Sequence, residues 1–273
     1  MTPTEVVVEV SLVGEEEDGH APDTIGGPTT VASMTGDRIL SGADARLRIA
    51  PWRGDMTTAH LTPGRGRPTP AAISRALEEL AAGPYGAALT AALPAAEQAP
   101  FLDAGFEVHE RLHLLVRSLD DVPPVASPPS DLRRGHHADR PAVLAVDAAA
   151  FPPFWRLDGP GLEDALAATP TSRLRVAVGR GDGRPLTGYA VTGRAGPRGY
   201  LQRLAVDPAD QDAGIGGALA VDGLRWLRRW GAKEVLVNTQ EGNATAVRLY
   251  ERLGFRLQAD GLAVLRRALD EAS

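Results

Sequence analysis

The amino-acid sequence predicts an α/β protein built from two related units, and three observations carry that reading. Along all 273 residues, short segments rich in valine, leucine and isoleucine alternate with segments whose apolar residues recur at helical spacing. Pro100-Phe-Leu-Asp-Ala-Gly-Phe106 matches Leu249-Tyr-Glu-Arg-Leu-Gly-Phe255 at a shift of 149 residues, and in each case a helical segment precedes and a strand follows. Between the two halves, residues 120–130 hold Pro123, Pro124, Pro128 and Pro129, a run that can continue neither a strand nor a helix. The expected division is therefore 1–120, a linker at 121–131, and 132–273.

In the first half, valine-rich residues 4–13 read as a strand and residues 15–28, acidic and glycine-rich, as a loop. A strand at 45–50 is followed by a loop-like stretch at 57–70 containing Pro63, Gly64, Gly66, Pro68 and Pro70. Ile73, Leu77 and Leu80 place a helix over 71–82; a strand at 85–93, a helix at 95–104 and a long strand at 107–119 complete the half. In the second half, residues 139–151 read as a helix, Phe151-Pro-Pro-Phe-Trp155 as a turn and 161–168 as a short helix. Strands at 173–178 and 186–193 form a hairpin through Gly181-Asp-Gly183, and 199–206 is a further strand. The helix entered at Gly214 carries Ile215, Leu219, Trp226, Leu227 and Trp230 on one side and stops at Gly231. A strand at 234–238, a helix at 244–253 between Asn243 and Gly254, and a last strand at 262–267 follow.

Composition narrows the function. A net charge of −6 argues against nucleic acid as the main partner. With no cysteine, disulfides, thiolate metal sites and a cysteine nucleophile are all excluded, which agrees with a cytoplasmic protein. The first ten residues have no basic leader, and no apolar run approaches the ~20 residues that span a bilayer, so no membrane association is expected. Lys233 is the only lysine against 28 arginines, which we read as genomic base composition.

The stretch Leu204-Ala-Val-Asp-Pro-Ala-Asp-Gln-Asp-Ala-Gly-Ile-Gly-Gly-Ala-Leu219 runs from strand through turn into helix. Glycines at such a junction let backbone N–H groups face outward, and the helix adds unpaired donors and the positive end of its dipole. An ordinary glycine-rich turn is the competing reading, and phosphate or pyrophosphate is the natural guest. A Rossmann nucleotide site is rejected: the spacing is Gly-x-Gly-Gly, and Val237-Asn-Thr-Gln brings no acid to the end of the next strand.

Gln211-x-x-Gly214-x-Gly216, followed by a helix, a strand and Asn243-Ala-x-Ala-x-x-Leu-Tyr250-x-x-x-Gly254-Phe255, resembles the GNAT superfamily of acetyl-CoA-dependent N-acetyltransferases over about residues 132–273. The resemblance implies a mixed twisted sheet flanked by helices, with two central strands splayed around acyl-CoA. It implies that Leu204, Ala205 and Val206 offer main-chain groups to the pantetheine arm. Gln211, Asp212, Ala213, Gly214, Ile215, Gly216 and Gly217 would cradle the pyrophosphate. Asn243 is a helix cap on residue grounds and a CoA contact by resemblance; Tyr250 is a core aromatic or, by resemblance, the acid that protonates the departing thiolate. No metal is needed, and with no cysteine, direct attack by an amine is favoured.

Many family members carry a carboxylate on the strand that here reads Tyr200-Leu-Gln-Arg-Leu-Ala-Val206, which has none. The general base is left among Glu241, Asp158, Glu163 and a water chain held by Gln202 or Asn238. Phe151, Phe154 and Trp155 are candidates for the wall of an acceptor pocket, the alternative being core. His136-His137, beside Arg133-Arg134, reads as solvated surface. The acceptor is expected to be a primary amine on a small metabolite or a peptide N-terminus, mildly favoured as cationic by the acidic chain. A non-catalytic acyl-CoA-binding regulator is the alternative. In the first half, the shift of 149 puts Phe101 at Tyr250, Pro94 at Asn243, and Arg65 and Arg67 at Gly214 and Gly216. That half is therefore expected to bind no acetyl-CoA and to pack on the catalytic half, shape the acceptor site or mediate homodimerisation.

Overall fold

The computed structural model describes residues 31–32, 38–41, 46–63, 68–124, 130–179 and 186–269. The expected strand at 4–13, the loop at 15–28, the turn Gly181-Asp-Gly183, and Arg65 and Arg67 lie outside these residues. In chain order the strands are β1 (Val31–Ala32), β2 (Arg38–Ser41), β3 (Arg46–Trp52), β4 (Asp55–Pro63), β5 (Ala87–Thr90), β6 (Leu93–Pro94), β7 (Glu107–Ser118), β8 (Asp131–Arg134), β9 (Thr171–Val178), β10 (Leu186–Ala195), β11 (Arg198–Val206), β12 (Glu234–Gln240), β13 (Arg256–Leu257) and β14 (Leu262–Ala268). The helices are α1 (Pro70–Ala81), α2 (Ala95–Asp103), α3 (Arg140–Ala150), α4 (Gly159–Ala167), α5 (Ile215–Arg229) and α6 (Ala244–Arg252).

The described chain forms two units, but not as the linear division at 121–131 expects. Residues 112–260 make one, here the C-terminal unit; residues up to 111 together with 261–269 make the other, the N-terminal unit. In the C-terminal unit the strands run β8-β9-β10-β11-β12-β7, with β13 also on β7. In the N-terminal unit they run β1-β2-β3-β4-β5-β14, with β6 also on β14. Each unit is thus completed by a strand from the other side of the proline-rich segment. Leu112–Ser118 pairs antiparallel along the whole of β12, while Arg266–Ala268 pairs with Ala87–Leu89. The sequence hides this because a strand's apolar alternation is the same whichever partner it takes.

The repeat extends to atomic detail. Gly105 and Gly254 both take left-handed backbone (φ +81° and +83°) and end α2 and α6. In each case the next residue's N–H reaches back to the helix: Phe106 to the Phe101 carbonyl and Phe255 to the Tyr250 carbonyl, both at 3.0 Å. An arginine from the strand of foreign sequence origin then caps the helix carbonyl: Arg267 donates to Ala104 and Arg117 to Leu253.

Two elements differ from expectation. Residues 57–63, read as loop, belong to β4, because Ala59, Leu61 and Pro63 alternate inward and only the end of the strand carries the proline and glycine signals. The short edge strand β8 lacks the apolar alternation by which a strand is recognised. In the C-terminal unit, α5 and α3 cover opposite faces of the sheet. Gly188 faces Ile215 and Leu219 of α5, whereas the next residue, Tyr189, bonds to Asp147 of α3. Ile215, Leu219, Leu224 and Leu227 enter the core with Leu201, Leu204, Val235 and Val237; Trp230, expected on that side, is 54% exposed.

Candidate active site

The sheet of the C-terminal unit opens at its centre. Parallel pairing of β11 with β12 is confined to Arg198–Tyr200 against Glu234–Leu236, although the strands continue to Val206 and Gln240. On its other side β11 stays paired with β10 as far as Val206, so the opening lies wholly toward β12. A register shift opposite Val191 and Thr192 leaves Gln202 as the extra residue of β11, a bulge that turns the strand where it parts from its neighbour. Leu204, Ala205 and Val206 therefore present one edge with no strand partner among the described residues.

The end of β11 leads into the glycine stretch. Asp207 accepts from the Ala209 N–H at 2.9 Å and tightens the turn Pro208–Asp210; Asp212 (φ +60°) and Gly214 (φ +80°) are both left-handed. No side chain caps α5, and its first backbone bond runs from Ala218 to the Gly214 carbonyl at 3.0 Å. The N–H groups of Ile215, Gly216 and Gly217 are consequently unused by the helix. A cavity of about 150 Å³ lies here, lined by Val206, Asp210, Gln211, Asp212, Gly214, Ile215, Gly216 and Gly217; Ala213 stands outside it. A Cβ on Gly216 or Gly217 would meet its neighbours no closer than 3.6 Å, so internal packing does not demand glycine at either position.

Sequence reasoning missed the far wall, which is Thr245, Leu249 and Arg252 of α6. Their spacing of four and three residues, one helical face, was the available signal. Arg252 brings a cation to the cavity and Asp210 and Asp212 bring carboxylates, so its lining is of mixed charge rather than purely basic.

On α6, Asn243 Oδ1 accepts from the Ala246 N–H at 3.0 Å, the cap expected from its residue type. Tyr250 is fully buried, its ring 5.3 Å from that of Phe255. It belongs to the same cluster as Leu204 and Val206 of β11 and Val237 of β12, the residues along the opening, but it does not line the 150 Å³ cavity.

On the other face, Phe151 and Trp155 are buried and Phe154 is half-buried, edge-on to Trp155 at 5.0 Å. What they enclose was not foreseen. Arg203 of β11 lies 3.5 Å over the Phe151 ring and donates to the Trp155 carbonyl at 2.7 Å. It also makes paired bonds to Asp147 of α3 at 2.9 and 3.0 Å. Asp147 further accepts from the Tyr189 hydroxyl at 2.5 Å and the Leu157 N–H at 2.6 Å. All three side chains are almost wholly buried. Burial pushes the Tyr189 phenol well above its usual range; Arg203 opposes that rise and Asp147 adds to it, so the phenol stays protonated and donates. One signal was available: opposite charges at Asp147 and Arg203, each inside an apolar run. The network ties the aromatic turn to the strand that borders the opening.

Of the candidates for a base, Asp158 caps α4 by accepting from the Gly161 N–H at 2.8 Å, and Glu163 bonds Arg140 at 2.8 Å. Glu241 is exposed. Gln202 and Asn238 are buried, and neither amide atom of Gln202 has a hydrogen-bond partner among the described residues. That buried amide sits at the bulge, next to where the strands part. Among the described residues no cluster of three or more His, Asp or Glu is arranged to hold a metal, and no helix is long and apolar enough to cross a membrane.

Comparison with known proteins agrees with this geometry. Residues 142–255 match the acetyltransferase (GNAT) family. A mycothiol acetyltransferase of Parafrankia sp. is 43% identical over 76 residues, 28% of this chain, and in that alignment the chain spans about a quarter (24%) of the relative's length. One from Nocardioides sp. is 29% identical over 283 residues, 91% of this chain and 92% of the relative. Among solved structures, a tandem GNAT protein from the clavulanic acid biosynthesis pathway superposes with a TM-score of 0.62 at 16% identity, over 87% of this chain and 83% of that one. The parted strands and the uncapped helix both lie within residues 142–255, the stretch of this chain that matches the acetyltransferase (GNAT) family.

Proposed function

We infer that the C-terminal unit transfers an acetyl group from acetyl-CoA directly to a primary amine. The observation that carries this is the uncapped start of α5, with three unused N–H donors facing a cavity at the end of a parted strand pair. The mycothiol acetyltransferase relatives favour a small metabolite over a peptide N-terminus as acceptor.

Acetyl-CoA, when bound, supplies the acetyl group as an activated thioester. In this reading Gln211 to Gly217 and Arg252 hold the pyrophosphate, and the free edge of Leu204–Val206 holds the pantetheine amides. The acceptor nitrogen bonds to the acetyl carbon, the carbon–sulfur bond breaks, and the sulfur keeps the electron pair and takes the Tyr250 proton. A phenol suits that task because it is protonated at neutral pH. The proton lost by the amine passes to water held by the unspent Gln202 amide, since β11 offers no carboxylate. Phe151, Phe154 and Trp155, fixed by Arg203, wall the acceptor side. The N-terminal unit takes no part in donor binding, and the reaction is cytoplasmic, in keeping with a chain without cysteine.

The test is release of free thiol from acetyl-CoA across a panel of small amines and peptide N-termini. A second reading, an acyl-CoA-binding regulator, is favoured by the missing strand carboxylate. Tight CoA binding with no thiol release on any amine would select it.

A further inference from the structure

A second cavity in the C-terminal unit, about 470 Å³, shares no lining residue with the one at the start of α5. It opens at the edge of the sheet, where β8 ends and Gly135 makes its last bond to β9, through the Leu174 carbonyl. Its walls include Arg134, His136, Arg140, Arg173, Trp226 and Trp230, with His137 beside them and no carboxylate. The tryptophans project from the C-terminal end of α5, about 20 Å along that helix from Gly214 at its usual rise per residue.

Chemistry divides the cavity into two parts. Trp226 and Trp230, one helical turn apart, place their ring centroids 6.2 Å apart, and Arg173 lies 5.2 Å over Trp226. The two rings are tilted by 44° to each other, and Trp230, largely open to solvent, offers a polarisable surface suited to stacking a planar group. The same lining carries guanidinium and imidazole groups. Arg140 is bonded to Glu163 and Arg173 to Asp222, but Arg134 makes no ion pair among the described residues. The Arg173 Nε is buried without a hydrogen-bond partner among the described residues. The acid of the adjoining turn, Asp139, is committed elsewhere: two bonds from Arg133, at 2.7 and 2.8 Å, hold its carboxyl at about 2. A lining of three arginines and two histidines with no carboxylate, in a chain of net charge −6, is not the average surface of this protein, although Arg140 and Arg173 have acidic partners just outside it.

We propose that this edge cavity is a binding site for a compound in which a planar ring is joined to a phosphate, the ring on Trp226 and Trp230 and the phosphate on Arg134 and Arg140. Guanidinium forks match phosphate oxygens in pairs, and a stacked ring explains an exposed tryptophan at the mouth. The volume lies within the range of small-ligand sites. The site is independent of the acetyl-CoA reading.

The probe is AMP, titrated by calorimetry and tryptophan fluorescence into the full chain, with and without saturating CoA. Expected are saturable binding that survives CoA saturation, and at least tenfold weaker binding of adenosine and of inorganic phosphate. Arg134→Gln and Trp230→Ala, both at exposed positions, should each weaken AMP at least fivefold while leaving CoA affinity unchanged. Loss of the AMP signal under saturating CoA would place AMP in the donor site and overturn the proposal. So would equal binding of AMP and adenosine, no saturation at millimolar AMP, or unchanged affinity in both variants. If CoA itself fails to bind, the donor reading falls, and the titration without CoA, read through the two variants, still decides this one.

Discussion

The two units share a strand-helix-strand-helix frame and differ at each point where a donor would be held. In the N-terminal unit β4 and β5 pair from Thr58–Ala87 to Leu61–Thr90, and the Ala91 N–H continues to the Leu61 carbonyl, so the strands stay closed to the end of β5. In the C-terminal unit the equivalent pair parts after three residues. The start of α1 is occupied by its own chain: Thr69 accepts from the Ala72 N–H at 3.3 Å, and Pro70 removes one donor. The start of α5 has Gly214 and no cap. Counted from the ends of the nine-residue strands β4 and β11, Ala59 stands where Gln202 stands, and His60 where Arg203 stands. Among the described residues of the N-terminal unit the only buried polar side chain is Thr90, which accepts from the Leu265 N–H. The frame therefore folds without the equipment. A parted strand pair, an open helix start and a buried charge network are additions to it, and each costs stability that the plain unit keeps.

Breaking the buried network should have the largest effect. Asp147→Ala leaves Arg203 without its carboxylate and should destabilise the C-terminal unit by about 3–5 kcal/mol, seen as a fall in the denaturation midpoint. A change under 1 kcal/mol would mean that the network is not what sets this unit apart. Next, Gly216→Asp puts a carboxylate among the open donors, where its Cβ has room. CoA binding by calorimetry should weaken about a hundredfold, ~2.8 kcal/mol, and unchanged affinity would move the pyrophosphate elsewhere. Tyr250→Phe makes α6 resemble α2, with Phe101. We expect kcat to fall about ten- to a hundredfold, at or below the usual range for a general acid because a thiolate is a tolerable leaving group near neutral pH, with little change in CoA affinity. An unaltered kcat removes Tyr250 from the mechanism. Smallest, Thr69→Ala should cost about 1 kcal/mol of stability and leave turnover unchanged; a loss of turnover would show that the plain unit contributes to the reaction.

The repeat, the element order and the strand-turn-helix course of the glycine stretch were legible because each is local. Asn243 caps its helix and Gly254 takes positive φ for reasons present within a few residues. Three features were not legible, all of them non-local. β7 and β14 close units other than the sequence halves in which they lie, and register cannot be read from alternation. Arg252 meets the glycine loop only through tertiary packing of α6. Asp147 and Arg203, 56 residues apart, look like separate polar interruptions until the fold brings them together. Gln202 is intermediate: its residue type marked it as a candidate, but only the bulge showed an amide buried without partners.

The crossing of strands also sets an order on the biosynthesis of the chain. Made from its N-terminus, the chain has every described strand of the C-terminal unit in hand once Leu257 has emerged. The N-terminal unit must wait for Leu262–Ala268 to pair with β5 and β6. The half synthesised first is thus the half finished last, and until then it exposes an unfilled sheet edge to the surrounding solution.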